Sequence, residues 1–420
     1  MAAMLYPAGT TTNNRGHLEI EGCDAVELAA EYGTPAYLFA VGEMRARARA
    51  YRSAFAAHTD DFEVLFASKA LPVTAAFRLF AEEGLSVDVA SGGELTMALE
   101  AGYDPKRIYM HGNNKTDAEL RLADRAGVGH LIIDSFDEIE RCERVLENDH
   151  DVLIRVTPGI VPSTHSFIQT GQADSKFGFG LEDGSAASAV ERVLASPRLN
   201  LVGLHFHIGS QIFEIEPFRL AVKALAELRG DWCRMLDLGG GLGISYETDD
   251  RPPPIENYVD LKFRAVREFF DEGVRILIEP GRSLVGTAGV TLYTVGTIKE
   301  IPGIRTYLAV DGGMSDNLRP MLYDAIYEAV VADRPDAPAE RTVTVAGSHC
   351  ESGDILIRDV ALADPQIGDT LLIPATGAYG HSLANNYNGM PRPPVIFCED
   401  GEARVVVRRE TWDDLLARDA

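Results

Sequence analysis

Cysteine is scarce in this chain: five residues in 420 (Cys23, Cys142, Cys233, Cys350 and Cys398), widely spaced and never arranged as CxxC. That spacing argues against a zinc knuckle or a disulfide framework and makes a reduced, cytoplasmic setting the expectation. No apolar run approaches the length of a membrane span, and residues 1–20 carry no apolar core of the kind a signal peptide needs. Positive charge is also short, with 39 Lys and Arg against 64 Asp and Glu, a net charge of −25. So acidic a chain disfavours nucleic acid and anionic membranes as partners, and suits a self-repelling soluble enzyme. Internal repeats and low-complexity stretches are missing too, and Pro252-Pro253-Pro254 reads as a stiff loop rather than a domain linker.

What is present is an alternation. Short apolar runs at Val64–Lys69, Leu85–Ala90, Arg107–His111, His130–Asp134, Val152–Thr157, Leu201–Ile208, Met235–Leu238 and Ile276–Glu279 are separated by amphipathic stretches such as Ala75–Glu83 and Ala118–Ala126. Eight strands with crossover helices predict a parallel (β/α)8 barrel over residues 36–290. After residue 290 the pattern becomes β-rich, with helices expected only at Leu322–Val331 and Thr411–Arg418. Residues 291–420 therefore read as a second, mostly antiparallel β domain, which also takes residues 1–35 and a strand from His17–Gly22.

The chemistry gathers at strand ends, where such barrels place their reactive groups. Lys69 closes the first run and Glu279 the eighth. An amine can form a Schiff base with an aldehyde, and a carboxylate can keep a pyridine nitrogen protonated; pyridoxal phosphate needs both. Taken alone, Lys69 also fits a snorkelling surface lysine. Asp88, at the end of the second run, is placed to pair with the ammonium when Lys69 is displaced, or is an ordinary loop acid. His205 and His207 share a face by the period-two rule, with Leu204 and Phe206 on the helix side. Two histidines so spaced raise the question of a metal, but no third ligand has fitting spacing, and a ring stacked on a flat cofactor is the alternative to a core histidine. Ser210 lies within reach of a phosphate, and Gly239-Gly240-Gly241 follows the seventh strand, where barrel enzymes commonly cradle one. The glycine run lacks GxGxxG spacing, which argues against a dinucleotide fold. Arg282 is a natural fork for a carboxylate. Cys350, beside Glu351, is a buried small hydrophobe or, if it faces a cofactor, a proton donor.

In order along the chain, the motifs are Phe66-Ala67-Ser68-Lys69-Ala70, Asp88-Val89-Ala90-Ser91-Gly92-Gly93-Glu94, His111-Gly112-Asn113-Asn114-Lys115 and Ser175-Lys176-Phe177-Gly178. They continue with His205-Phe206-His207-Ile208-Gly209-Ser210-Gln211, Gly239-Gly240-Gly241, Glu279-Pro280-Gly281-Arg282, Cys350-Glu351-Ser352-Gly353-Asp354 and Ala378-Tyr379. Together they resemble the fold-type III pyridoxal-phosphate decarboxylases over nearly the whole chain, and within them the branch acting on diaminopimelate.

The resemblance implies that Lys69 binds the cofactor covalently, that His207 stacks on its ring and that Glu279 pairs with its nitrogen. It implies that Ser210, Gly240, Gly241, the segment Glu279-Pro280-Gly281-Arg282 and Tyr379 hold the phosphate. Arg282, Arg319 and Tyr323 then bind the distal carboxylate of the substrate, and Glu351 its distal ammonium. Cys350 and Glu351 are implied to come from a second subunit of a homodimer. Two positions depart from the pattern: Leu71, where many relatives carry asparagine, and Ser166, where an acid is common. The competing readings are a decarboxylase of ornithine, arginine or lysine on the same fold, a racemase, which would need a second base opposite Lys69, and a non-catalytic relative, which would have lost Lys69, His207, Glu279 or Cys350. The lid over the substrate is expected at Thr164–Lys176, from its polar and glycine content.

Overall fold

The computed structural model describes residues 5–160 and 174–420. The expected lid falls mostly outside the described residues, as does Ser166. The chain divides into two compact units, one of Arg47–Gly243 with Pro252–Ser283, the other of Met1–Ala46, Ile244–Arg251 and Leu284–Ala420.

Each of the eight apolar runs becomes a strand of the first unit: β1 (Phe62–Ala67), β2 (Ser86–Val89), β3 (Ile108–Met110), β4 (His130–Ile133), β5 (His150–Thr157), β6 (Leu199–His205), β7 (Met235–Asp237) and β8 (Arg275–Ile278). Every neighbour pairs in parallel, β8 returns to β1, and β4 pairs with β5, so the sheet closes on itself. Helices fill the crossovers, several with capping side chains at their first turn. Ser91 Oγ accepts from the Glu94 N–H, and Thr116 with Glu119 forms a capping box.

One apolar layer fills the barrel: Leu65, Tyr109, Ile132, Leu153, Val202 and Leu277, with Met235 packed against them. Side chains alternate along a strand, so two residues further on the same strands point inward again. Those positions are Ala67, His111, Asp134, Arg155, Asp237 and Glu279, and beyond Ala67 comes Lys69. From an oily floor the barrel thus passes within one residue pair to a charged mouth.

Strand β6 obeys the alternation only through a defect. Val202 and His205 cannot share a face at period two, yet Val202 is in the apolar layer and His205 meets Glu279. The register against β5 slips between Leu201 and Gly203, a β-bulge that reverses the facing of the residues beyond it.

In the second unit, the long strand Gly289–Ile301 pairs antiparallel with Arg305–Val310, Thr370–Ile373 and Ala36–Ala40. Ala36–Ala40 in turn runs parallel to Val395–Glu399. This strand therefore lies in the β-rich unit, although the sequence pattern assigns residue 36 onward to the barrel. Leu18–Ile20 forms where a strand is expected, but in a separate three-stranded sheet with Thr11–Thr12 and Cys23–Asp24. The helix expected at Leu322–Val331 is instead Arg319–Tyr323. Pro320 starts it earlier, Asp324 in the left-handed region (φ 50°) ends it, and Val330–Val331 pairs as a strand with Thr370–Ile373. Thr411 caps the short helix Trp412–Leu416. No helix among the described residues is long and apolar enough to cross a membrane.

Candidate active site

Glu279 is the electrostatic centre of the barrel mouth. Its side chain is 3% exposed, and His111 Nε2 lies 2.8 Å from Oε1. His205 Nε2 meets Oε2 at 3.4 Å, and the two imidazoles stand edge to face at 4.9 Å. Burial opposes the charge of Glu279, but the pull of His111 and His205 outweighs it and holds the carboxyl well below the usual carboxylate range. His205 is itself pushed down to about 4 by burial, so at neutral pH it serves Glu279 as an N–H donor rather than a cation. Asp237 moves the opposite way. Buried and facing the Glu279 charge, it is held well above the usual range and keeps its proton. Two buried acids so close cannot both ionise cheaply, and their shifts run apart, Glu279 toward the charged form and Asp237 toward the neutral one.

The sequence spacing pairs His205 with His207 and finds no third metal ligand. The structure groups His205 instead with His111, Asp237 and Glu279, whose candidate ligand atoms all lie within 4.8 Å of one another. His111 stands out in the sequence only as part of a motif. Its inward facing is readable from Tyr109 by the period-two rule, whereas its meeting with Glu279 is not.

Lys69 lies in a 3-10 turn, Ser68–Ala70, just past β1. Its side chain is 46% exposed, and Nζ is 3.3 Å from Oδ2 of buried Asp88, which in turn is 3.7 Å from His111 Nε2. A line of polar groups thus runs from an accessible amine through Asp88 and His111 to Glu279. His207 follows β6, and burial, then the Lys69 charge, hold its ring well below its ordinary pKa, so it is neutral. Its Nδ1 accepts from the Gly240 N–H at 3.3 Å.

The glycine run after β7 has no room for side chains. A Cβ on Gly240 would stand 2.2 Å from Glu279 O, and one on Gly241 (φ +111°) 2.6 Å from Gly209 O. At Gly281 it would meet the Ala67 Cβ at 3.0 Å. Nearby, the Arg282 guanidinium donates to Ser210 Oγ through Nε at 3.1 Å and Nη2 at 3.0 Å.

Lys69, Asp88, His207, Ser210, Gly240, Gly241, Glu279, Gly281 and Arg282 all belong to the barrel unit. Arg319, Tyr323, Cys350, Glu351 and Tyr379 belong to the β-rich unit. There, buried Arg319 donates to Tyr327 Oη and stacks 4.4 Å from the Tyr246 ring. Tyr323 ends the same helix. Cys350 is exposed rather than the buried hydrophobe that a free cysteine usually is, and its N–H donates to Asn388 Oδ1 at 2.9 Å. Exposed Glu351 accepts from the Gly353 N–H. Asp354 braces this turn, accepting from His349 Nδ1 at 2.7 Å and the Met314 N–H at 2.7 Å. Tyr379 takes a left-handed backbone (φ 65°) before the short helix Gly380–Leu383.

Comparison with known proteins identifies this arrangement. The family model for the pyridoxal-dependent decarboxylase, pyridoxal binding domain, matches residues 41–286. Diaminopimelate decarboxylase of Bacillus subtilis (strain 168) is 48% identical, with 99% of this chain and 98% of that protein aligned. Its counterpart in Halalkalibacterium halodurans is 47% identical over the same shares. Among solved structures, diaminopimelate decarboxylase from M. jannaschii in co-complex with L-lysine superposes with a TM-score of 0.92 at 34% identity, covering 99% of both chains. The chain belongs to the pyridoxal-dependent decarboxylases and, within them, to the diaminopimelate decarboxylase family.

The family's cofactor is pyridoxal phosphate, and the residues present fit it. Glu279 Oε1 is buried with no aligned hydrogen-bond donor, since His111 Nε2 is close but not aligned to donate. It is an ionised acceptor suited to a protonated ring nitrogen. The glycine run supplies backbone that an anion can approach, and Lys69 is an accessible amine at the same mouth.

Proposed function

We propose that this chain decarboxylates meso-2,6-diaminopimelate to L-lysine and carbon dioxide, the final step of lysine biosynthesis. The observation that carries it is the ionised, buried Glu279 facing the same mouth as the accessible amine of Lys69. Pyridoxal phosphate, when bound, supplies an electron sink for the pair left at Cα as the carboxylate departs.

The chain's own residues do the rest. Lys69 would hold the cofactor through its amine, and Asp88 Oδ2 would steady that side chain as an ammonium. Glu279 keeps a proton on the ring nitrogen, with His111 and His205 keeping Glu279 charged. His207, neutral, offers a flat face to the ring. Within the barrel unit, Ser210, Gly240, Gly241, Gly281 and Arg282 would hold the phosphate. Selectivity rests at the distal end of the substrate: Arg319, with Tyr323 on the same helix, takes the distal carboxylate, and Glu351 the distal ammonium. Ornithine, arginine and lysine offer a cation there without a carboxylate, so a guanidinium fork favours diaminopimelate.

Cys350 and Glu351 complete the site of a second copy of this chain in a cytoplasmic homodimer, with Cys350 as the proton donor to Cα. The exposure of both side chains supports this reading. Carbon dioxide release from meso-diaminopimelate, set against lysine, ornithine and arginine, tests the function. Release from diaminopimelate alone is the expected result, and preference for any of the others would overturn it.

A further inference from the structure

One helix holds three consecutive carbonyls of the glycine loop. From Ile255–Phe269, Lys262 Nζ donates to Leu238 O at 2.7 Å and to Gly239 O at 2.9 Å. One turn earlier, Tyr258 Oη donates to Gly240 O at 2.9 Å. Both side chains are sealed from solvent, and Lys262 Nζ also lies 4.3 Å from the centre of the Tyr258 ring and 4.6 Å from that of Phe218. A lysine in such a place is costly, and no step of the decarboxylation uses it.

The peptide plane says what the carbonyls gain. In a trans peptide the C=O of one residue and the N–H of the next point in opposite directions. Tying down the carbonyls of Leu238, Gly239 and Gly240 therefore aims the N–H groups of Gly239, Gly240 and Gly241 away from the helix. The first reaches Asp237 Oδ1 at 3.0 Å and the second His207 Nδ1 at 3.3 Å. The third, on Gly241, has no partner among the described residues. Gly241 O is occupied as well, accepting from the Ile212 N–H at 3.0 Å, so the peptide on its far side is also fixed. A glycine at φ +111° is otherwise free to turn. These bonds remove that freedom and leave one donor without a partner among the described residues.

We infer that Tyr258 and Lys262 are positioning residues, locking the loop so that the Gly241 N–H is presented to the phosphate of the cofactor. This rests on the phosphate role proposed for the glycine loop. It does not depend on the protonation state of Lys262, since ammonium and amine both donate.

The test is equilibrium titration of cofactor-free enzyme with pyridoxal phosphate and, separately, with pyridoxal, which lacks the phosphate. Tyr258→Phe is expected to weaken pyridoxal phosphate about tenfold while leaving pyridoxal within about twofold of wild type, the scale of one hydrogen bond to a charged group. Lys262→Met, which frees two carbonyls, is expected to act in the same direction and carries the test if Tyr258→Phe does not fold. Unchanged pyridoxal phosphate affinity overturns the inference, and so does equal weakening of both compounds, which marks general damage. If wild type shows no preference for the phosphorylated compound, the phosphate role of the loop itself fails; a preference that the variants keep sinks only the positioning role.

Discussion

His111 and Glu279 stand 2.8 Å apart, Nε2 to Oε1, at the ends of β3 and β8, strands that are not neighbours in the barrel. The barrel brings them together, and the consequence is a buried carboxylate that stays ionised beside a second acid that does not.

That division predicts opposite responses to two isosteric changes. Glu279→Gln removes the charge that holds a proton on the cofactor ring. It is expected to cost roughly 3 kcal/mol or more in kcat, a loss beyond about a hundredfold. Asp237→Asn imitates the protonated acid already present and is expected to stay within about threefold of wild type, a change under about 1 kcal/mol. Steady-state decarboxylation rates of the two variants check both. Near-normal turnover by Glu279→Gln contradicts the role given to that carboxylate.

A pH profile isolates His111. Glu279 acts as an ion, and its folded-state pKa is depressed, so its contribution is present above that pKa and lost as the pH falls through it. His111→Phe removes a neighbour that favours the charge, which raises the Glu279 pKa. The acid limb of kcat/KM for the variant is therefore expected at higher pH than in wild type. A limb that stays in place while the rate falls would mean that His111 serves packing alone.

The proposed sharing of sites between two copies predicts rescue. Lys69→Ala and Cys350→Ala are each expected to be inactive alone. Mixed after dissociation and reassembly, they form heterodimers in which one site of the two is intact. Random assortment then restores about a quarter of wild-type activity, because half of the dimers carry one good site. No recovery, in a mixture shown by mass to contain heterodimers, contradicts the shared site.

Much of this arrangement is legible in the sequence. All eight barrel strands stand out as short apolar runs; Lys69 and Glu279 are conspicuous because they close two of them, and Asp88 because it is an acid near the end of a third. The partners of Glu279 are harder to find. Facing can be read along one strand, as from Tyr109 to His111, but proximity across a barrel depends on closure and stagger, which no local pattern carries. The bulge in β6 is similar: the period-two rule would set Val202 and His205 on opposite faces, and only pairing with β5 reveals the slip. The pattern assigns Ala36–Ala40 to the barrel because an apolar run looks the same in either sheet, and its antiparallel pairing with Gly289–Ile301 is a long-range choice. At Arg319–Tyr323, Pro320 is a local sign of an earlier start, whereas the left-handed turn at Asp324 has none.

Treatment of the purified protein with borohydride, which fixes a bound carbonyl compound to its amine, and then peptide mapping, tests the central claim most directly. A pyridoxyl label confined to the peptide carrying Lys69, and absent from Lys69→Ala, is the predicted result. A label on another lysine such as Lys115 or Lys262, or no label after the cofactor has been supplied, would contradict it.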